Sequence, residues 1–533
     1  MIFNVSEISI FLKYNYGFEW FTENKIFVKG YLFDSAGKYF FGNELISFFS
    51  TVKNFVQFEK IMNDANGNFS VIILFENFVW LGVDKIRNFP LFYSTENGKI
   101  FISDSVEELS TKLNNKLINK SLLQTFLSTG YVTENKTLIN NIFQLQASEI
   151  AELSTEKIST KFYFEYATQY VESKPYETCK TELLQLIDNI FIRYKATIGN
   201  RNIAVTLSGG YDSRLIAVML KKHGFENVVC FSYGREANSE RSISEKVAQK
   251  LGYKWFFVPY NEQVIKDFTS QDCFQNYFRY SANLTSMFFM QDYFAAKYLH
   301  HNLPSNTIIL TGHSADVIAG SHLNEQINSN SSIKNIAEQL FNDNFILLKA
   351  NKRLKKNFVQ NFVKSNSTKY LPHSIYENWD LKERQAKFIN NCVGVYNFFG
   401  FENRLPFWDS QLLHFFKMLP FQNKLHKKLY DDLLVNTIFA EFDVNFKKEL
   451  QASNFDLRKQ RIKKMLKPFF PAFMKRLYVN RNAWNFYPEI TAVFIAEMKK
   501  ANFHFKLSGN SFNEIIVQWY LFKMKDLGFK VSS

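Results

Sequence analysis

Two periodicities divide this chain. Up to about residue 110, apolar positions come in short runs of β-branched and aromatic residues: Ile26–Phe33, Phe69–Phe75, Phe78–Val83 and Lys99–Ser103. Gly, Asn and Asp bound these runs, and the pattern predicts strands. Helical spacing takes over from Ser105 to about Ser128, and Val132–Leu153 returns to short apolar pieces. After Pro175, the segment Tyr176–Tyr194 carries Leu183, Leu184, Leu186, Ile187 and Ile190 on a helical stripe, so a boundary falls near 160–175. Beyond it the pattern alternates. Strands are predicted at Ile203–Leu207, Asn227–Tyr233, Trp255–Val258 and Thr307–Leu310, with helices at Arg214–His223 and Ser239–Leu251. That rhythm predicts an α/β domain built on a doubly wound parallel sheet. From about 330 the chain reads as mostly helical. The predicted division is 1–165, 175–440 and a helical extension over 441–533.

Composition narrows the class. The chain has 533 residues, 46% hydrophobic and 21% charged, which suits several packed cores and excludes a disordered protein. No apolar run is long enough for a transmembrane helix, and MIFNVSEISIF lacks the basic start of a secretory signal. Cys179, Cys230, Cys273 and Cys392 are widely spaced, which predicts free thiols and a cytoplasmic location. The net charge of +14 raises the question of nucleic acid. Lys is spread along the chain together with Asn, Phe, Ile and Tyr, so the charge reads as compositional bias and no nucleic-acid partner is expected. The densest basic stretch, Arg458–Lys467, mixes Lys and Arg with apolar residues at helical spacing. It reads as a solvated helix face, or as a surface that attracts an anionic substrate or membrane. His300-His301 and His373 lack metal-ligand spacing and read as surface or capping residues. The aromatic-rich Val393–Phe401 reads as a core helix with its cap, or as a pocket wall beside Glu402.

The sharpest chemical signal follows the first strand of the alternating region. Ile203–Leu207 runs into Ser208-Gly209-Gly210-Tyr211-Asp212-Ser213, and a helix follows. At such a junction the helix presents free N–H groups. Paired glycines let the backbone approach phosphate oxygens, two hydroxyls add donors, and a carboxylate can hold magnesium. Neither the P-loop pattern nor a GxGxxG fingerprint is present.

The stretch resembles the pyrophosphate loop of the asparagine synthetase family. Gly67-Asn68-Phe69, with Asp84, Arg87, Pro90, Leu91, Phe92 and Tyr93, is similar to that family's amino-terminal domain. Thr137-Leu138 through Glu149, the helix Glu240–Leu251, the segment Glu402-x-Arg404-x-Pro406-Phe407-x-Asp409 and Leu419-Pro420 also resemble family segments, in order, over roughly residues 25 to 430. The resemblance implies a degenerate, glutaminase-like αββα sandwich followed by a synthetase domain of the PP-loop ATP pyrophosphatase type. It also implies a mechanism: ATP adenylates a carboxylate, pyrophosphate leaves, and an amine displaces AMP. By match, Ser208, Gly209, Gly210 and Ser213 hold the pyrophosphate portion, and Asp212 binds Mg2+. Leu207, Tyr233, Thr311 and Gly312 line the adenosine site, while Glu402 and Arg404 are expected to be catalytic.

Three departures qualify the match. Glutaminase-active members place a nucleophilic Cys after the initial Met; here that position is Ile2, and no Cys precedes Cys179. Nitrogen is then expected from ammonia, a partner glutaminase or an amine on the substrate, as in the similar β-lactam synthetases and lasso-peptide cyclases. In the second loop, Thr311-Gly312-His313-Ser314-Ala315-Asp316, Asp316 matches the second magnesium carboxylate. His313 replaces a Glu or Tyr; it is expected either to accept the proton of the attacking amine or only to hydrogen-bond in an altered site. The lysine that similar enzymes place beyond the Glu402–Asp409 segment is unassigned among Lys447, Lys448, Lys463, Lys464, Lys467 and Lys475. The implied activity is ATP- and Mg2+-dependent amide formation without glutaminase. The expected acceptor is a small-molecule, glycan or peptide carboxylate other than aspartate. The alternative is a non-catalytic, ATP-binding regulatory relative, which Val317 favours and the intact Ser208–Ser213 loop disfavours.

Overall fold

The computed structural model describes residues 1–5, 7–446, 485–509 and 511–532. Its amino-terminal part is a pair of stacked sheets. One contains Ile2–Val5, Ile8–Phe11, Lys99–Ser103, Phe92–Glu96 and Phe143–Gln144, in that spatial order. The other runs Ile158–Phe162, Glu149–Ser154, Phe78–Val83, Asn66–Leu74, Ile26–Phe33 and Trp20–Glu23. Strand alternation distributes the side chains. Phe27, Ile72 and Leu81 meet Ile10, Ile100 and Ile102 in the core between the sheets. Val28, Val71 and Ile73 turn the other way and pack with Phe49, Phe58 and Met62 of the helices Asn43–Ser50 and Phe55–Asp64. Phe11 and Phe92 cover the opposite outer face with Val106, Leu109 and Phe126 of the helices Val106–Lys112 and Lys120–Thr129. The result is a helix–sheet–sheet–helix stack.

The remaining elements that position the site run α1 (Tyr176–Ile198), β1 (Ile203–Thr206), α2 (Tyr211–Lys222), β2 (Val228–Gly234), α3 (Ser239–Leu251), β3 (Lys254–Pro259), α4 (Asp272–Ala282), α5 (Tyr293–Asn302), β4 (Ile308–Leu310), α6 (Asn390–Phe398), β5 (Glu402–Arg404), α7 (Lys428–Leu433), α8 (Tyr487–Lys500) and α9 (Asn513–Asp526). The five strands form a parallel sheet in the order β3-β2-β1-β4-β5, with Ile203 opposite Val228 and Ile308, and Leu310 opposite Arg404. Both faces are buried. Ile203, Val205, Cys230 and Leu310 pack with α1, α2 and α3, whereas Ala204, Phe231, Val258 and Ile309 pack with α4, α5 and α6. Phe494 of α8 and Trp519 of α9 belong to this second core, so the described part of the carboxyl-terminal stretch is integral to it. The aromatic helix expected at Val393–Phe401 is α6, and it is a core helix. His373 is buried, a correction to the surface position read from sequence. All four cysteines are free. Among the described residues, no helix is long and apolar enough to cross a membrane.

The Glu402–Asp409 segment joins the two parts of the molecule. Arg404 is fully buried; it donates to Glu402 (2.5 Å), to Thr197 of α1 (2.7 Å) and to the Tyr39 hydroxyl (3.1 Å), and its guanidinium lies 4.8 Å from the Tyr31 ring centre. Glu402 also takes a bond from Arg201 (2.5 Å). Asp409 accepts from Asn66 at 2.7 Å and pairs with Arg193. The catalytic contact expected of Glu402 and Arg404 is absent from the cavity described below. Their side chains leave edge strand β5 toward the amino-terminal sheets and are consumed there.

Candidate active site

A cavity of about 460 Å³ opens at the carboxyl ends of β1, β2 and β4. The loop after β1 is self-bonded: Ser208 N–H donates to Ser213 Oγ at 3.0 Å, the two hydroxyls are 3.0 Å apart, and Gly210 N–H donates to Ser208 Oγ at 3.1 Å. Gly210 caps α2 without any side-chain bond, and the first turn of that helix, the end of a helix that favours anions, lines the cavity. The loop after β4 meets this turn closely. A Cβ on Gly312 would lie 2.7 Å from Ser213 N and 2.9 Å from the Asp212 carbonyl carbon. Only a residue without a side chain lets the two loops touch. Gly312→Ala should therefore destabilise the protein by about 1–3 kcal/mol, the usual cost of forcing atoms into a packed site. Denaturant unfolding reads this out, and an unchanged midpoint would mean that the loops have slack.

The contact brings Asp212 and Asp316 to one cavity. Asp212 accepts the Tyr430 hydroxyl of α7 at 3.0 Å, and Asp316 accepts the Ser321 hydroxyl at 3.0 Å. Burial and then the charge of Asp316 push the Asp212 carboxyl up to about 7. A divalent cation would relieve this repulsion, and carboxylate oxygens are suited to magnesium. Among the described residues no third His, Cys, Asp or Glu joins the pair in a metal-binding group. The other coordination positions would then fall to water or substrate oxygens. Lys427 stands beside the pair, its ammonium bonded to Asp431 at 2.9 Å and 5.7 Å from the Tyr211 ring centre. Burial works against its charge, but Asp431, Asp212 and Asp316 outweigh it and hold the ammonium above its ordinary value.

His313 lines the same cavity, and its Nδ1 has no hydrogen-bond partner among the described residues. Burial lowers its pKa, against the opposing charges of Asp292 and Asp316, so the ring is neutral near pH 7. Asp292 is itself buried and accepts hydroxyls from Tyr233 and, at 3.2 Å, Tyr396.

Of the residues expected at the site, Leu207, Ser208, Gly210, Asp212, Ser213, Tyr233, Gly312, His313 and Asp316 line the cavity. Gly209 and Thr311 belong to the same loops without lining it, and Glu402 and Arg404 are elsewhere. The candidate lysines from Lys447 to Lys475, and the basic face Arg458–Lys467, lie outside the described residues. Lys427, Tyr430, His322, Arg384 and Gln385 were missed from sequence. A cation and a tyrosine soon after Leu419-Pro420 are the only hint of the first two.

Comparison with known proteins agrees with this layout. Residues 195–434 match the asparagine synthase family model, and residues 53–164 match that of the glutamine amidotransferase domain. The microcin J25-processing protein McjC of Escherichia coli is 24% identical over 206 residues, 38% of each chain. A probable glutamine-hydrolyzing asparagine synthetase of Acanthamoeba polyphaga mimivirus is 26% identical over 283 residues, 50% of this chain and 47% of that one. A glutamine-hydrolyzing asparagine synthetase of Bacillus subtilis is 25% identical over 166 residues, 31% of this chain and 26% of that one. The chain spans less than half the length of each of these relatives. An amidotransferase-type domain ahead of an asparagine synthase domain, together with these relatives, supports placing the chain with the asparagine synthetase family.

Proposed function

We propose that this protein is an ATP-dependent amide-forming enzyme. It adenylates a substrate carboxylate with release of pyrophosphate, then passes the acyl group to ammonia or a substrate amine. The observation that carries this reading is the meeting of the Ser208–Ser213 loop and Asp316 across the Gly312 contact, with Lys427 alongside. Ser208, Ser213 and the amino-terminal turn of α2 would bind the pyrophosphate portion of ATP. Tyr233 and the carboxyl end of β1 at Leu207 would flank the nucleoside, with Thr311 behind. Asp212 and Asp316 would hold Mg2+, which neutralises phosphate charge as pyrophosphate departs. Lys427 would stabilise the charge that builds on the reacting carboxylate and phosphate. The synthetase part would thus be of the PP-loop pyrophosphatase type within the division 1–165, 175–440 and 441–533. The acceptor would be a carboxylate other than aspartate on a small molecule, glycan or peptide.

ATP–pyrophosphate exchange across a panel of acids tests the reading. Exchange that requires one class of acid supports it. Tight ATP binding with no exchange would identify a regulatory, non-catalytic relative instead. His313, whose buried Nδ1 has no hydrogen-bond partner among the described residues, would accept the amine proton. His313→Ala should leave exchange largely intact and slow amide formation about 10²-fold, the scale of general-base catalysis. Equal loss of both steps would remove His313 from that role.

A further inference from the structure

The cavity wall facing the phosphate loop carries a guanidinium that the mechanism above does not use. Leu381–Ile389 is π-helical and continuous with the helix Pro372–Asp380 before it and α6 after it. π winding narrows the angle between successive side chains, and Arg384 and Gln385 both reach the cavity. His322 stands on the same wall. Behind them Asp380, 2% exposed, accepts from His322 Nδ1 at 3.2 Å and from Gln385 Nε2 at 3.1 Å. A proton on Nδ1 leaves Nε2 as an acceptor, and Arg384 Nη1 donates to it at 3.3 Å. The imidazole thus orients the guanidinium and uses one of its five N–H groups.

Arg384 is the only permanently cationic side chain among the described residues lining this cavity, and it forms no ion pair among them. Sheet order divides the space. The proposed nucleotide runs from β2, through the loop after β1, to Asp316 after β4. His322 follows the loop after β4 in the chain and Arg384 is bonded to it, so we assign this part of the cavity lining to the acceptor. A guanidinium paired with the reacting carboxylate would lose its partner on adenylation, stabilising the ground state more than the transition state. An anionic group that does not react keeps its charge throughout. We propose that Arg384, oriented by His322 and Asp380, selects an acceptor that carries a second, permanent anionic group besides the carboxylate being activated. The planar fork suits a carboxylate or a phosphate.

The inference rests on the amide-forming reading, and the test separates the two. Exchange by the full chain is measured with short dicarboxylic acids and their monoamides, and with uronic acids with and without an anomeric phosphate. The wild type should prefer the dianionic member of one series by about tenfold or more in kcat/KM, the scale of a charge-assisted pair. Whichever series shows the preference identifies carboxylate or phosphate. Arg384→Gln should erase the preference, with the loss carried in KM for the dianionic member and ATP affinity retained. Arg384→Lys should restore part of it, and Asp380→Asn should lie between. Equal use of both members by the wild type overturns the proposal. So does a tenfold loss of ATP affinity in Arg384→Gln, which would assign the guanidinium to the nucleotide. Absence of exchange with every acid would remove the amide-forming reading, and this proposal with it.

Discussion

Asp212→Ala should lower ATP–pyrophosphate exchange by about three orders of magnitude, the loss of several kcal/mol of metal-borne charge stabilisation. The carboxylate sits on the first turn of α2, faces Asp316, and is tied to Tyr430. Removing it takes away half of the proposed magnesium site while leaving the N–H groups of the loop in place, so nucleotide binding should weaken less than turnover. Asp212→Asn sharpens the test because it keeps the shape. In the unfolded chain this carboxyl titrates near its ordinary value, whereas in the folded protein it titrates at about 7. Folding therefore takes up a proton in that window, and the stability of the nucleotide-free protein declines as pH rises through it. Asp212→Asn should remove this decline, giving an inactive protein that melts above wild type at pH 8. A bound cation relieves the repulsion between Asp212 and Asp316, so exchange by the wild type should fall on acidification at a pH below about 7, where protons compete with the cation for the carboxylate. Full exchange in Asp212→Ala would contradict the whole assignment.

Lys427→Met should reduce exchange about 10²–10³-fold with little change in ATP affinity, the usual cost of removing a preorganised charge from a reaction centre. Met keeps the apolar stem against Tyr211 and Tyr430 and removes only the ammonium. A second readout separates catalysis from packing. Lys427 is one of the charges that hold Asp212 down, so its loss should move the acid limb of the exchange profile to higher pH. Exchange at the wild-type rate would return the role to the lysines between Lys447 and Lys475.

The residues proposed to bind phosphate were legible because their types are dictated locally. Paired glycines, hydroxyls and Asp212 after a buried strand have few other uses, and strands such as Ile26–Phe33 agree with the structure end to end because β-branched and aromatic residues dominate them and turn residues bound them. Lys427 was not legible. It stands within the influence of both carboxylates after a left-handed pair, His426 and Lys427 with φ of 56° and 60°, and a lysine does not signal that conformation. Arg384 was hidden for a related reason, since π winding has no sequence period of its own. Glu402 and Arg404 failed differently. Their motif was readable, but its placement depends on a three-residue edge strand and on side chains of the other domain. The carboxyl-terminal helices show the same limit. Their apolar residues announce burial, but not that the partner is the core of the parallel sheet.

The burial of Arg404 bears on how this architecture is inherited. An edge strand of a parallel sheet exposes unpaired backbone and invites association with other chains. Here the guanidinium on β5 is satisfied by α1 on one side and by tyrosines of the amino-terminal sheets on the other. The amino-terminal domain thus completes the surroundings of a charge buried at the edge of the parallel sheet, whatever chemistry the domain itself performs. Selection on its own reaction can lapse while selection for its presence persists, and a domain kept for this role is free to drift at every residue except those that grip its neighbour.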